Sequence, residues 1–291
     1  MRRTVPGKVF VGAALALVGV GLASGHELAL AQELALGQKL ALRHELAPGQ
    51  AQPGTTDQPA TTDQPGTTDT VSSEPLLGPV VTQHEMTSGG TRLAYTATFA
   101  ETPLSDASGT VRATISATSY VLERVKDRKR RPVMFLFNGG PGASSSPLHF
   151  SAFGPRRLTD ERDPAQRKLV DNEYSLLDAA DLVFIDPVGT GFSRERPGTP
   201  SGAYWNVESD AAAALQLIHK WLESNGCKDS PVFIAGESYG GFRLATMMEH
   251  AEDLPIAGLI LISPMLDASA SVSAPGNDLP YIFDLPSMAV A

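Results

Sequence analysis

An α/β fold with a doubly wound, mostly parallel sheet is the architecture that this sequence predicts. In its second half, apolar runs of strand length alternate with helical patterns, which favours parallel strands connected by helices. Four of these runs are almost continuously apolar, as expected for parallel strands buried on both faces. Hydrophobic residues make up 42% and charged residues 19% of the 291 residues, so the chain can bury a sizeable core.

The charge and the cysteine content exclude several classes of function. The formal net charge of −9 disfavours nucleic acid as a partner, because phosphate binding requires clustered lysine and arginine. The chain has a single cysteine, Cys227, so it has no internal disulfide and no cysteine-based metal site. The sequence predicts neither a metal nor a cofactor.

The N-terminus has the pattern of an export signal. Arg2, Arg3 and Lys8 precede the apolar segment Val9–Ala23, which is short for a membrane span and suits the core of a signal peptide. We expect a signal peptide over residues 1–31 and export to the periplasm, the cell surface or the medium. An uncleaved N-terminal anchor is the alternative.

Two series of six-residue repeats follow the export signal. The first is rich in Glu-Leu-Ala-Leu and the second in Pro-Gly-Thr-Thr-Asp-Gln. A period of six matches neither a helix nor a coiled coil, and the proline-threonine part cannot bury enough surface to order itself. Residues 32–76 are therefore predicted to form a disordered, low-complexity tether, and residues 77–291 the folded domain.

The folded domain is predicted to contain six strands and two helices. Two kinds of run indicate the strands: runs rich in threonine, valine, isoleucine and tyrosine, and runs that are continuously apolar. They cover residues 93–99, 110–122, 132–138, 181–186, 231–235 and 256–263. Apolar residues at helical spacing indicate helices over residues 206–225 and 242–250. The basic run 128–131 directly precedes a strand, and we expect it to be solvated.

A serine in a glycine-rich pentapeptide joins the fifth strand to the second helix. The run Gly236-Glu-Ser-Tyr-Gly240 between a buried strand and a helix is typical of a nucleophile elbow, a strained turn that exposes the serine hydroxyl above the sheet. Ser238 is the predicted nucleophile of an acyl hydrolase. A buried turn without chemistry is the alternative.

Acyl transfer also requires two hydrogen-bond donors for the oxyanion. One is expected from the backbone N–H that follows the nucleophile, which belongs to Tyr239. The run Asn138-Gly-Gly-Pro-Gly142 directly follows the strand over 132–138, and its glycines allow backbone N–H groups to approach a ligand closely. The loop could instead be sharp for packing reasons alone.

Several separated motifs in this order resemble the serine carboxypeptidase family of the α/β-hydrolase superfamily. They are Phe137-Asn-Gly-Gly-Pro-Gly-Ala-Ser-Ser-Ser146, Phe153-Gly-Pro155, Asp181-Leu-Val-Phe-Ile-Asp-Pro-Val-Gly-Thr-Gly-Phe-Ser193 and Gly236-Glu-Ser-Tyr-Gly-Gly241. The resemblance covers roughly residues 77–291. It implies an enzyme that removes C-terminal residues from peptide substrates through an acyl-enzyme.

The resemblance also assigns roles to individual residues. Ser238 corresponds to the nucleophile, and Gly140 and Tyr239 to the backbone donors of the oxyanion hole. Asn138, Gly139 and Glu237 correspond to the group that binds the terminal carboxylate of the substrate. Two departures stand out: residues 148–152 lack the second glutamate of this network, and Ala143 replaces a frequent cysteine, as in a bacterial-type member.

The resemblance further implies an aspartate and a histidine after the last strands, and no histidine follows His250. His250 is expected to point away from Ser238, His149 could line the pocket, and Asp267 is the best-placed carboxylate. We therefore expect an incomplete α/β-hydrolase sheet that lacks its last strands and its cap, in a truncated chain with little activity. The alternatives are an esterase or acyltransferase of the same fold and an inactive binding module.

Overall fold

The computed structural model describes residues 78–267, 269 and 275–290. The predicted signal peptide and tether, residues 1–31 and 32–76, lie outside the described residues. The chain divides into two compact units, one of which spans Thr67–Pro280, while Tyr281–Ala291 belongs to the other. In the described ranges, no helix is both long and apolar enough to span a membrane.

The described chain contains ten strands and three longer helices. The strands are β1 (Val80–Ser88), β2 (Thr91–Ser105), β3 (Val111–Leu122), β4 (Val133–Phe137), β5 (Arg156–Leu158), β6 (Leu169–Asp171), β7 (Asp181–Asp186), β8 (Arg194–Glu195), β9 (Val232–Glu237) and β10 (Ile256–Ile262). The helices are α1 (Val207–Ser224), α2 (Gly240–Met248) and α3 (Leu279–Val290). Shorter helical segments are Arg128–Arg130, Ser146–Leu148, His149–Phe153, Pro164–Gln166 and Leu176–Asp178.

The main sheet is mixed, with a parallel half that carries the predicted site. Its strand order is β1-β2-β3-β7-β4-β9-β10, and β8 pairs with β3 outside this path. Strands β7, β4, β9 and β10 run parallel to one another, whereas β1, β2 and β3 form an antiparallel meander whose last strand is antiparallel to β7. All six predicted strands are present. The α/β class is confirmed.

Two apolar layers enclose the parallel strands. Along β4, Val133, Phe135 and Phe137 belong to one buried cluster, and Met134 and Leu136 belong to another. Because successive side chains of a strand point to opposite faces, these clusters lie on opposite sides of the sheet. Helices α1 and α2 cover the first face. Residues of the segments 148–153 and 176–177 pack on the second.

Helix α1 has the start and stop signals that its sequence suggests. The side chain of Asn206 accepts a hydrogen bond from the N–H of Ser209 at 2.9 Å, which satisfies one of the unpaired donors of the first turn. Gly226, at φ +67°, follows the helix in the left-handed conformation that commonly ends helices. The buried face of the helix includes Ala211, Ala214, Leu215, Ile218 and Leu222.

The prediction that the basic run is solvated is wrong for one of its four residues, Arg131, while Arg128 is partly exposed. Arg131 is buried, and its Nε donates to the carboxylate of Asp181 at 2.7 Å. Arg128 donates to the same carboxylate at 3.0 Å. A carboxylate that is itself buried at the start of β7 requires such partners, and its burial could not be read from the local sequence.

Candidate active site

Ser238 lies at a strained turn between β9 and α2. Its φ of +57° is in the left-handed region, which residues other than glycine seldom adopt. The surrounding backbone holds it there: the Ser238 N–H donates to the carbonyl of Ile262 at 3.0 Å, and its carbonyl accepts from Gly241 and Met265 at 2.9 and 2.8 Å. The local geometry is thus that of a nucleophile elbow, fixed on one side by the end of β10.

The glycine loop after β4 packs directly against this elbow. A Cβ added to Gly139 would lie 2.5 Å from the Tyr239 nitrogen, 2.6 Å from the Glu237 carbonyl oxygen and 3.0 Å from the Ser238 Cβ. The proximity follows from the sheet, because β4 and β9 are parallel neighbours in which Phe137 pairs with Gly236. Gly139 and Tyr239, 100 positions apart in sequence, are therefore brought together where two parallel strands end.

The two amides that the sequence assigns to the oxyanion hole belong to these adjoining turns. Gly140 has a φ of +106°, which a residue with a Cβ rarely adopts. In the part of the chain that the structure describes, no hydrogen bond engages the N–H of Gly140 or of Tyr239. Both donors are therefore free to bind an oxygen that develops negative charge.

Asn138 and Glu237 contact each other beside the serine. The Asn138 side-chain amide donates to Glu237 Oε2 at 3.2 Å, and the Gly139 N–H donates to the same oxygen at 3.3 Å. The Asn138 Oδ1 accepts from the Leu148 N–H at 3.1 Å, which fixes the orientation of the buried amide. A carboxylate oxygen thus occupies the donors that the resemblance assigns to the terminal carboxylate of the substrate.

Arg243 is part of this site, although the sequence analysis did not identify it. It is 1% exposed, and its Nε donates to Asp210 on α1 at 2.8 Å. Its Nη1 donates to the Asn138 carbonyl at 3.0 Å. Burial raises the pKa of the Asp210 carboxyl, and the adjacent guanidinium opposes that rise. The sequence contains one indication of this role: Arg243 places a charge at an apolar position of α2, one turn before Met247.

The histidines of the described chain lie elsewhere. His149 is stacked against Phe150 and Phe184, and its Nε2 is 2.5 Å from the Tyr120 hydroxyl. Burial lowers the pKa of His149 to about 4, so this ring is neutral near pH 7. His219 lies 3.5 Å from Asp253 on the surface.

No histidine of the described ranges forms a hydrogen bond with Ser238, whose hydroxyl has no hydrogen-bond partner there. Asp267, the best-placed carboxylate in the sequence, accepts hydrogen bonds from the N–H and hydroxyl of Ser269 in its own loop. Over the same ranges, no group of three or more histidine, cysteine, aspartate or glutamate side chains could hold a metal ion.

Comparisons with known proteins agree with this geometry. Residues 111–255 match the sequence model of a family described as serine carboxypeptidase. The chain is 30% identical over 156 residues to serine carboxypeptidase-like 36 of Arabidopsis thaliana, covering 51% of this chain and 31% of that protein. It is 32% identical over 142 residues to serine carboxypeptidase-like 29 of the same plant, covering 45% of this chain and 27% of that protein.

A solved structure shares the fold. Kex1Δp, described as a prohormone-processing carboxypeptidase from Saccharomyces cerevisiae, superimposes with a TM-score of 0.51 at 21% identity. The match covers 67% of this chain and 43% of the yeast chain. The chain therefore spans less than half the length of that structure and about a third of the curated relatives that it matches.

Proposed function

Because the chain belongs to the serine carboxypeptidase family, we propose that it acts on C-terminal peptide bonds through an acyl-enzyme on Ser238. The observation that carries this proposal is the direct packing of Gly139 against the elbow, which brings the nucleophile and the glycine loop to one point. A serine hydroxyl and two backbone amides that can bind the oxyanion are among the groups that acyl transfer requires from the protein.

In the proposed reaction, Ser238 Oγ attacks the carbonyl carbon of the last peptide bond. The carbonyl oxygen becomes an oxyanion and accepts hydrogen bonds from the N–H groups of Gly140 and Tyr239. The C–N bond then breaks, the nitrogen of the released amino acid takes up the proton that the Ser238 hydroxyl lost, and water later hydrolyses the serine ester. These donors act without reorganisation, because the backbone already holds their turns in place.

The same reaction requires a base that removes the proton of the Ser238 hydroxyl. Within the described residues no histidine or carboxylate contacts that hydroxyl. A nucleophilic serine without such a base keeps only the rate enhancement due to the oxyanion hole and binding, about 10³- to 10⁴-fold over water in a model serine protease. We therefore expect slow turnover from this chain.

We assign the recognition of the substrate's terminal carboxylate to Asn138, Gly139 and Glu237. Two carboxylates in contact repel each other unless one carries a proton. Glu237 shares its Oε2 with the donors of Asn138 and Gly139, so a bound substrate carboxylate competes for these donors or shares a proton with Glu237. Either arrangement selects peptides with a free C-terminus.

The experiment compares the wild-type full chain with its Ser238→Ala variant. An activity-based fluorophosphonate is incubated with both proteins, and the modified residue is identified by mass spectrometry. Binding of a blocked dipeptide acid and of its amide is then followed by NMR titration. Modification confined to Ser238 and binding that prefers the acid at least tenfold are the expected results.

Two alternatives have their own outcomes. Rapid hydrolysis of a short-chain nitrophenyl ester without a preference for the dipeptide acid would identify an esterase or acyltransferase instead. The absence of a base next to Ser238 in the described residues favours a second candidate, a module that binds peptide C-termini without turnover. Selective binding of the acid without modification of Ser238 would support that module.

The place of action is also part of the proposal. The positively charged start of the sequence, followed by the apolar segment Val9–Ala23, supports export of the chain. Mass-spectrometric detection of the chain in an extracellular or periplasmic fraction, with a new N-terminus near residue 31, tests this assignment.

A further inference from the structure

A buried arginine connects helix α1 to both turns of the candidate site. Arg243 lies on α2, five residues after Ser238, and is 1% exposed. Its Nε donates to Asp210 of α1, and its Nη1 donates to the carbonyl of Asn138, directly after β4. Its guanidinium carbon lies 4.6 Å from the centre of the Phe137 ring and 5.5 Å from the centre of the Tyr239 ring.

These contacts fall on both turns that donate to the proposed oxyanion hole. The Asn138 carbonyl belongs to the peptide group whose N–H, that of Gly139, donates to Glu237. That peptide also leads directly into Gly140. On the other side, the Tyr239 ring belongs to the residue whose backbone N–H is the second donor. The planar, always charged fork of an arginine suits such a junction, because it forms several directional bonds and stacks on rings at the same time.

We infer that Arg243 is a positioning residue that orients the Asn138–Gly140 backbone relative to the Tyr239 amide. This inference rests on the proposed function. It acts through the carbonyl of Asn138 and the two flanking rings, and it does not contact the reacting atoms. Its pairing with Asp210 anchors the guanidinium but is not what orients the loop.

The competing explanation is a buried ion pair that only stabilises the fold. Breaking such a pair by removing one partner is strongly destabilising, whereas replacing both partners together is often tolerated. The two explanations therefore differ for the double variant Asp210→Asn/Arg243→Met. An ion pair without further function predicts that the double variant recovers both stability and reactivity.

The experiment uses the full chain and the variants Arg243→Met, Arg243→Lys, Asp210→Asn and the double variant. Three readouts are compared: the second-order rate of Ser238 modification by a fluorophosphonate, the thermal midpoint, and hydrogen exchange of the amides in residues 138–142. The fluorophosphonate is suitable because its phosphoryl oxygen enters the oxyanion hole during the reaction.

We expect Arg243→Met to lower the modification rate at least tenfold, since loss of a single oxyanion donor costs about 10²- to 10³-fold in catalytic rate in a serine protease. The double variant should melt at a higher temperature than Arg243→Met and still react slowly. Arg243→Lys should be intermediate, because an ammonium group can reach one partner but cannot stack in the same plane. Asp210→Asn should lose stability but retain a rate within about threefold.

Recovery of the modification rate in the double variant, or an unchanged rate in a folded Arg243→Met protein, would overturn the inference. Failure of the acyl-enzyme step on which the proposed function rests gives a different result, because wild-type Ser238 would then not react at all. In that case hydrogen exchange decides: faster exchange at residues 138–142 in both proteins that lack Arg243 supports the positioning role, and unchanged exchange refutes it.

Discussion

Among the single residues of the candidate site, Gly139 leaves the least space for a side chain. A Cβ there would approach the Tyr239 nitrogen and the Glu237 carbonyl oxygen to about 2.5 Å, and both are backbone atoms that cannot rotate away. The glycine therefore lets the loop after β4 touch the elbow, and the spacing between the proposed nucleophile and its proposed oxyanion donors depends on that contact.

We expect Gly139→Ala to separate the two turns and to lower the rate of Ser238 modification by a fluorophosphonate at least tenfold. The matched control is Gly142→Ala in the same loop, where a Cβ meets nothing within 4 Å and only the φ of +91° is unfavourable. The control should lose about 1 kcal/mol of stability and keep most of its reactivity. Equal reactivity of Gly139→Ala and wild type would contradict the assigned contact.

His149 provides a test of a buried titratable group. Burial lowers its pKa from 6.5 to about 4, so between these values the unfolded chain binds more protons than the folded one. The free energy of unfolding should therefore fall as the pH falls through this window, by up to about 1.4 kcal/mol per pH unit. Other groups titrate there as well, so the measurement must be a difference between two proteins.

The suitable comparison is His149→Gln, whose amide can still reach the Tyr120 hydroxyl but does not titrate. Urea denaturation of both proteins from pH 7 to pH 4 should show a stability difference that narrows or reverses as the pH falls. A difference that stays constant over the whole range would contradict the neutral, buried state of His149.

Among the elements, the start of β7 is a junction of three parts of the sheet. Asp181 is 1% exposed and accepts hydrogen bonds from the Leu122 N–H, Arg131 and Arg128. The end of β3, the basic turn before β4 and β7 itself are thereby linked through one carboxylate. Strands β3, β7 and β4 are neighbours in the sheet, so this carboxylate fixes their relative register at one end.

Asp181→Asn should cost about 3 kcal/mol or more, because it leaves the buried Arg131 without a counter-charge. The same basic run offers a control: Lys129 lies 3.9 Å from Asp229, and both side chains are largely exposed. Asp229→Asn should change stability by less than about 1 kcal/mol. Urea denaturation at pH 7 measures both values, and equal losses would show that burial does not distinguish the two pairs.

The elements that were predictable from the sequence are those with a strong local pattern. Strands β4, β7, β9 and β10 are almost continuously apolar, and the elbow has glycine where side chains would collide, as at Gly236. Strand β1 was not predicted, because it lies at a sheet edge with most of its side chains exposed and has no apolar alternation. The pairing of Arg243 with Asp210 was not predictable from the sequence, because only the packing of α1 against α2 brings these two buried charges together.

At the scale of the whole molecule, the decisive feature is the outer edge of β10, the last strand of the sheet in the described residues. In the described part of the chain, β10 pairs only with β9 and ends the strand order of the sheet. Its side chains Leu259 and Leu261 are 43% and 47% exposed. Unpaired backbone groups beside exposed leucines form the type of edge that pairs with other chains, and natural proteins usually protect such edges with charges, prolines or a covering element.

We therefore expect the full chain to self-associate through β10 in a concentration-dependent way, measured by sedimentation velocity over a hundredfold concentration range. Leu261→Lys should shift the distribution towards monomer, because a charge at the edge opposes close pairing of two strands. Leu169→Lys is the matched control, since Leu169 is also 47% exposed but lies on β6, in the separate two-stranded sheet. If both variants associate like the wild type, the contact between copies does not involve β10. A wild-type chain that stays monomeric at the highest concentration would show that this edge is already protected.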